Sequence, residues 1–302
     1  TITAQGSTTI TWTYDDGNGN TTTQTQNIVI TDVTDPTPDV VILTDVNAEC
    51  QVTSLTPPTA TDNCGGIVTI TNDATLPISG ENTTTEVIWT YDDGNGNTSI
   101  QTQNVVINDV TAAVADIATL ADSTAQCSLD TSTLTAPTAT DNCLGTVAGT
   151  TPITTITAQG STTITWTYDD GNGNTSTQTQ NVVINDVTAA VADIATLADS
   201  TAQCSLDTST LTAPTATDNC LGTVAGTTPI TTITAQGSTT ITWTYDDGNG
   251  NTSTQTQNVV INDVTAAVAD VVTLADSTAE CSLDTSTLTS PTATDNCLGT
   301  VA

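Results

Sequence analysis

The chain has 302 residues, of which 33 are Asp or Glu and none is Lys, Arg or His, so its formal net charge is −33. Phosphate recognition depends on Lys and Arg, so nucleic acid and anionic membrane surfaces are excluded as partners, and no apolar run approaches the roughly 20 residues of a membrane span. Catalysis lacks its usual groups as well: nothing activates a Ser, Thr or Cys nucleophile, and adjacent Asp169 and Asp170 would point to opposite faces of extended chain rather than face each other as a glycosidase pair, so no enzyme is expected.

The chain is periodic. Trp12, Trp89, Trp166 and Trp243 recur at intervals of 77, as do Cys50, Cys127, Cys204 and Cys281. Residues 112–188 and 189–265 are identical, whereas 35–111 is a diverged copy in which Cys50 to Cys64 is two residues shorter than Cys127 to Cys143. Such a period exceeds a solenoid coil and suits a small independent domain. The expected partition is 1–34 as the C-terminal part of a repeat, then whole repeats at 35–111, 112–188 and 189–265. Residues 266–302 are then the N-terminal part of another.

Within a repeat the elements follow in order. Val191 to Leu197 has apolar residues three apart, as in a helix, but the diverged copy reads Asp35-Pro36-Thr37-Pro38-Asp39-Val40-Val41-Ile42-Leu43 there, and prolines with a β-branched run favour a strand. Short strands are expected near Ser128 to Leu134, Thr146 to Thr150 and Ile153 to Ala158. Thr163 to Tyr168 alternates strictly, placing Ile164, Trp166 and Tyr168 on one face. Asp169-Asp170-Gly171-Asn172-Gly173-Asn174 holds an Asn-Gly step suited to a tight hairpin, and Thr177 to Ile184 runs back. Six or seven strands per repeat give an all-β fold: tandem immunoglobulin-like β-sandwich domains of about 77 residues, beads on a string.

Two cysteines per repeat in small, core-poor domains point to disulfides in an oxidising, extracellular compartment. The expected pairs lie within repeats: Cys50–Cys64, Cys127–Cys143, Cys204–Cys220 and Cys281–Cys297. A Cys-based metal site has neither His nor a CxxC pair to support it. Calcium, which takes six to eight oxygens, is the expected cofactor. Its candidate ligands are Asp169, Asp170, Asn172 and Asn174 in the hairpin, and Asp186 and Asp193 at the junction with Asp141 from a loop folding to the same pole. The bland alternatives are a plain turn with solvated Asp, and an Asx-type turn orienting the cysteine beside Asp141-Asn142. Sequons occur at Asn20, Asn82, Asn97, Asn174 and Asn251. The outward rows of Thr fit the surface of an exposed sheet better than an ice-binding face.

The succession of a Cys, Pro-Thr-Ala-Thr-Asp-Asn-Cys, a Trp-bearing strand, Asp-Gly-Asn-Gly-Asn and Val-Val-Ile-Asn-Asp-Val-Thr resembles the hyalin-repeat family of immunoglobulin-like modules, and its best-matching subset resembles repeats of giant bacterial surface adhesins, including those of gliding species. Asp122-Ser123-Thr124 is similar to the O-glycosylation sites of some gliding bacteria. The chain departs from the family pattern in lacking basic residues and Phe, and in carrying Ala112-Ala113-Val114-Ala115 where a Pro-rich junction is usual. The resemblance implies a non-enzymatic stalk or filament at a bacterial cell surface, partnered by neighbouring repeats or by copies of itself head to tail. The alternative is a set of modules each binding a glycan or protein, but Trp166 and Tyr168 are the aromatics of a repeat and fall on its core side. Because Thr1 maps to Thr155 and Ala302 to Ala148, the tail of one copy is expected to be completed by the head of the next, either in one longer covalent array or by strand exchange.

Overall fold

The computed structural model describes residues 1–302 and is all-β, with three one-turn 3-10 segments and no α-helix. As expected, it is built of tandem β-sandwich domains. The chain divides into two compact units, one formed by 1–120, 135–152 and 165–179, the other by 121–134, 153–164 and 180–302.

The second unit holds the whole of repeat 189–265. Its frame is the antiparallel hairpin of Gly237–Asp246 and Thr252–Ile261, in register with Trp243 opposite Gln255. Ser200–Ala202 lies parallel to the returning strand, Ala202 opposite Ile261. A second sheet joins Val191–Ala192, Thr215–Asp218 and Gly222–Ala225, and Leu206–Asp207 pairs with Thr232–Ile233. That is eight strands in place of six or seven.

The alternation read from the sequence places the core. Ile241, Trp243 and Tyr245 are buried, as are Ile164, Trp166 and Tyr168 of the identical copy. Ile241 and Trp243 pack with Leu206, Ile233, Val259 and Ile261, whereas Tyr245 closes a second cluster with Ala190, Ala216 and Val224. One strand therefore feeds both layers, and each such fully buried aliphatic or aromatic side chain contributes about 1.5–3 kcal/mol.

Two local expectations need correction. The stretch Val191 to Leu197 is a strand only at Val191–Ala192. Beyond it the carbonyls of Ile194 and Ala198 accept hydrogen bonds from Gln255 and Gln257 Nε2, so side-chain amides replace a partner strand. The hairpin is also not closed by a two-residue turn. The loop runs from Asp247 to Asn251, Gly248 and Gly250 taking φ of +79° and +102°, and Asp247 Oδ1 accepts from the backbone N–H of Asn249 and Asn251. The carboxylate thus organises the loop, which an Asn-Gly reading alone does not anticipate.

In the first unit, repeat 35–111 orders Val46–Ala48, Thr98–Ile107, Thr83–Asp92 and Thr69–Asn72 in one sheet around Val87, Trp89, Tyr91, Val105 and Ile107. The hairpin Gly6–Asp15 with Thr21–Ile30 precedes it. Val114–Ala115, Thr138–Asp141 and Gly145–Ala148 follow, around Ala113, Ala139, Val147 and Tyr168.

Candidate metal centre at the repeat junctions

Strand direction decides which cysteines meet. Val46–Ala48 runs parallel to the last strand of its repeat, Ala48 opposite Ile107, so Cys50 emerges at the trailing end of the repeat. Ala60–Thr61 pairs with Thr37–Pro38 at the start of the same repeat, so Cys64 emerges at the leading end. The two cysteines of one repeat are therefore held apart. The bonds formed are Cys50–Cys143, Cys127–Cys220 and Cys204–Cys297, each spanning a sequence separation of 93 with Cα atoms 4.8 to 5.0 Å apart. The within-repeat pairs Cys50–Cys64, Cys127–Cys143, Cys204–Cys220 and Cys281–Cys297 do not form; Cys64 and Cys281 are free and exposed.

Beside each cross-repeat bond lies an acidic cluster. Carboxylate oxygens of Asp109, Asp141 and Asp170 lie within 4.8 Å of one another, and all three residues are at most 4% exposed. Asp109 comes from the end of one repeat, while Asp141 and Asp170 come from the next. Asp141 Oδ1 accepts the N–H groups of Cys143 and Leu144, both at 2.8 Å, forming the Asx-type turn that presents the bonded cysteine. Its other oxygen, Oδ2, is buried and has no hydrogen-bond donor.

Asp170 is better supplied. Burial pushes its carboxyl up, but hydrogen bonds from the Asn172 N–H and from the side chain and N–H of Asn174 outweigh that and hold it below the ordinary 3.8. The hairpin amides also reach across the junction: Asn172 Nδ2 lies 3.4 Å from Asp109 Oδ2, and Asn174 Nδ2 donates to the Asp109 carbonyl at 3.1 Å. Asp109 Oδ1 accepts from the Thr111 N–H at 3.0 Å.

The next junction repeats two of these carboxylates and the amide contacts. Asp186 meets Asp218 beside the bonded Cys220. Asn249 Nδ2 is 3.3 Å from Asp186 Oδ2, Asn251 Nδ2 donates to the Asp186 carbonyl at 3.1 Å, and Asp218 Oδ2 is again buried without a donor. In the diverged copy the matching orphan is Asp62 Oδ1, near Asp32 and Cys64.

Of the residues expected to bind metal, Asp141, Asp170, Asn172 and Asn174 gather at one junction and Asp186 at the following one. Asp169 and Asp193 do other work. Asp169 Oδ1 accepts the Gly171 N–H at 2.9 Å, and Asp193 accepts the hydroxyls of Thr215 and Thr217. Sequence reasoning missed Asp109 and Asp218 as members of these groups, although each is the 77-residue counterpart of a named residue, Asp186 and Asp141. The signal that could have found them was that counterpart, combined with the requirement that a junction draw on both its neighbours.

No family model matches the chain. It is 33% identical over 336 aligned residues to hyalin of the sea urchin Strongylocentrotus purpuratus, an alignment covering 96% of this chain and 26% of that protein. Among solved structures it is similar to the extracellular domain of protocadherin gamma B4, at 14% identity and a TM-score of 0.30 over 90% of this chain and 57% of that one. It is similar also to the EC1–4 region of Drosophila N-cadherin, at 10% identity and a TM-score of 0.28 over 84% of each. The chain thus spans about a quarter of the length of the curated relative it matches.

Proposed function

We propose that the chain is a load-bearing segment of an extracellular adhesive stalk or filament, non-enzymatic, made of hyalin-type repeats at 35–111, 112–188 and 189–265 with partial repeats at 1–34 and 266–302, and joined at each junction by a disulfide and by Ca2+. The similarity to hyalin supports the family, and the bacterial surface setting rests on the resemblance read from the sequence. One observation carries the mechanical reading: the disulfides interleave. The loop closed by Cys127–Cys220 begins before Cys143, where the loop from Cys50 ends, and the loop from Cys204 begins before Cys220.

Tension applied along such a chain has a short path. It crosses from Cys50 to Cys143, follows the 16 residues back to Cys127, crosses to Cys220, follows 16 residues back to Cys204 and crosses to Cys297. Unfolding a repeat therefore releases about 55 Å of extended backbone into the load path, against about 260 Å for the same 77 residues without the bonds, at roughly 3.4 Å per residue. A stalk needs that inextensibility, whereas a module that only binds a ligand does not.

Single-molecule pulling tests it. Under oxidising conditions the chain between Cys50 and Cys297 is expected to give no full-length repeat unfolding steps, and such steps of about 260 Å are expected once reductant is added. Full-length steps before reduction would remove the mechanical reading.

A further inference from the structure

We infer that each junction carries a divalent-cation site shared between two repeats, with Asp109, Asp141 and Asp170 as the ligand carboxylates at one junction and, at the next, Asp186 and Asp218 together with Asp247, the 77-residue counterpart of Asp170. The inference rests on the stalk reading for its purpose and names the site at which calcium would act. The cluster brings three carboxylates together in a buried place, and the chain contains no Lys, Arg or His to answer them. Buried charges persist when they are paired or coordinate a metal, and here no side chain can pair them.

The oxygens are not all spent on local structure. Asp141 Oδ1 is committed to its turn, but Oδ2 is a buried acceptor with no donor, and Asp218 Oδ2 repeats this at the second junction. A buried acceptor left unpartnered is costly, so its recurrence at equivalent positions, in the diverged copy as well, marks a partner that is not a protein donor. A cation is that partner.

Donor chemistry selects the class. The sulfurs nearby are locked in disulfides and offer no thiolate, and imidazole is absent from the chain, which leaves carboxylates, amide oxygens and backbone carbonyls. These are the ligands of a hard cation, and a flexible mixed set suits calcium better than the strict octahedron of magnesium. Asn172 and Asn174 reach the same carboxylates, and turning either amide over exchanges its NH2 for an oxygen ligand. Because Asp109 belongs to one repeat and Asp141 and Asp170 to the following one, a cation held here couples the two, beside the disulfide that already links them.

The test is calorimetric titration of calcium into the full oxidised chain after chelator treatment, in physiological sodium chloride, with melting temperature as a second readout. Asp141→Asn with Asp218→Asn is expected to lower the calcium stoichiometry by two relative to the parent and to abolish most of the calcium-induced rise in melting temperature. Asn keeps the Oδ1 acceptor of each turn, and near-ultraviolet circular dichroism checks that the variant is folded. Asp109→Asn, one repeat away from Asp141, is expected to lower the stoichiometry by one, while Asp193→Asn leaves it unchanged. No calcium binding by the parent, or a melting shift fully reproduced by sodium at matched ionic strength, overturns the site, as does full stoichiometry in the Asp109→Asn chain. Failure of the site leaves the pulling experiment unaffected, since that reads the disulfides alone.

Discussion

At the scale of single residues, aspartate does three different jobs in this chain. Asp141 offers one oxygen to a turn and leaves the other buried and unanswered; Asp247 organises a hairpin loop; Asp193 holds two threonine hydroxyls, at 2.5 Å from Thr215 and 2.6 Å from Thr217. The turn at Asp141 was legible as one of two readings, but the jobs of Asp193 and Asp247 were not, because each depends on which strand ends beside it. The Thr215 and then Thr217 hydroxyls hold the Asp193 carboxyl below the ordinary 3.8, against a smaller upward push from burial. A carboxyl whose value is depressed in the folded state contributes stability above pH 3.8, and that contribution is lost as pH falls through the folded value. Thr215→Val with Thr217→Val is therefore expected to lower the melting temperature at neutral pH and to have a vanishing effect well below pH 3.8. Melting curves across that range check it, and an effect of equal size at both extremes would show that the hydroxyls act by packing instead.

At the scale of elements, the long hairpin was the most legible feature, because strict alternation over Thr163 to Tyr168 leaves one assignment of faces and those apolar residues are buried as that assignment requires. What the pattern did not disclose is the use made of the glutamines on the returning strand. Gln257 accepts from Trp243 Nε1 at 3.0 Å and donates to the Ala198 carbonyl at 2.9 Å, while Gln255 accepts from the Tyr245 hydroxyl at 2.6 Å and donates to the Ile194 carbonyl. Each amide satisfies a core aromatic on one side and an unpaired backbone carbonyl on the other. This is why the stretch beyond Ala192 needs no strand partner, and why periodicity taken alone could not settle it. Gln257→Leu removes both bonds at once and leaves the indole N–H without its acceptor. An unsatisfied buried group costs about 1–3 kcal/mol, so urea unfolding is expected to show a loss of that order in repeat 189–265. A change under half a kcal/mol would mean that water takes over both roles.

At the scale of the whole molecule, the period of 77 and the sandwich class were readable, but the connection between repeats was not. Nearness in sequence favoured closing the short loops. The parallel pairing of Val46–Ala48 with Thr98–Ile107 is a non-local contact that no local signal announces, and it alone carries Cys50 to the far end of its repeat. On the chain-entropy model, closing a loop of 93 residues stabilises by about 4–5 kcal/mol, compared with about 3 kcal/mol for the short within-repeat loops, so the observed pairing also gains more per bond. Chemical verification must avoid trypsin, which has no site in a chain without Lys or Arg. It must also avoid the identical copies, because Cys127 and Cys204 lie in the same local sequence, as do Cys143 and Cys220, and a map cannot tell their partners apart. Cys50 resolves the ambiguity. Cleavage before Asp places it in a fragment beginning Asp45-Val46-Asn47-Ala48-Glu49, whereas Cys64 follows Asp62-Asn63 and continues Gly65-Gly66-Ile67, and Cys143 follows Asp141-Asn142 and continues Leu144-Gly145-Thr146. The non-reduced digest is expected to contain the Cys50 fragment joined to the Asp-Asn-Cys-Leu fragment, with the Asp-Asn-Cys-Gly-Gly fragment released as a free thiol. Recovery of the Cys50 fragment joined to Asp-Asn-Cys-Gly-Gly would restore the within-repeat pairing, and with it a chain whose repeats lengthen independently under load.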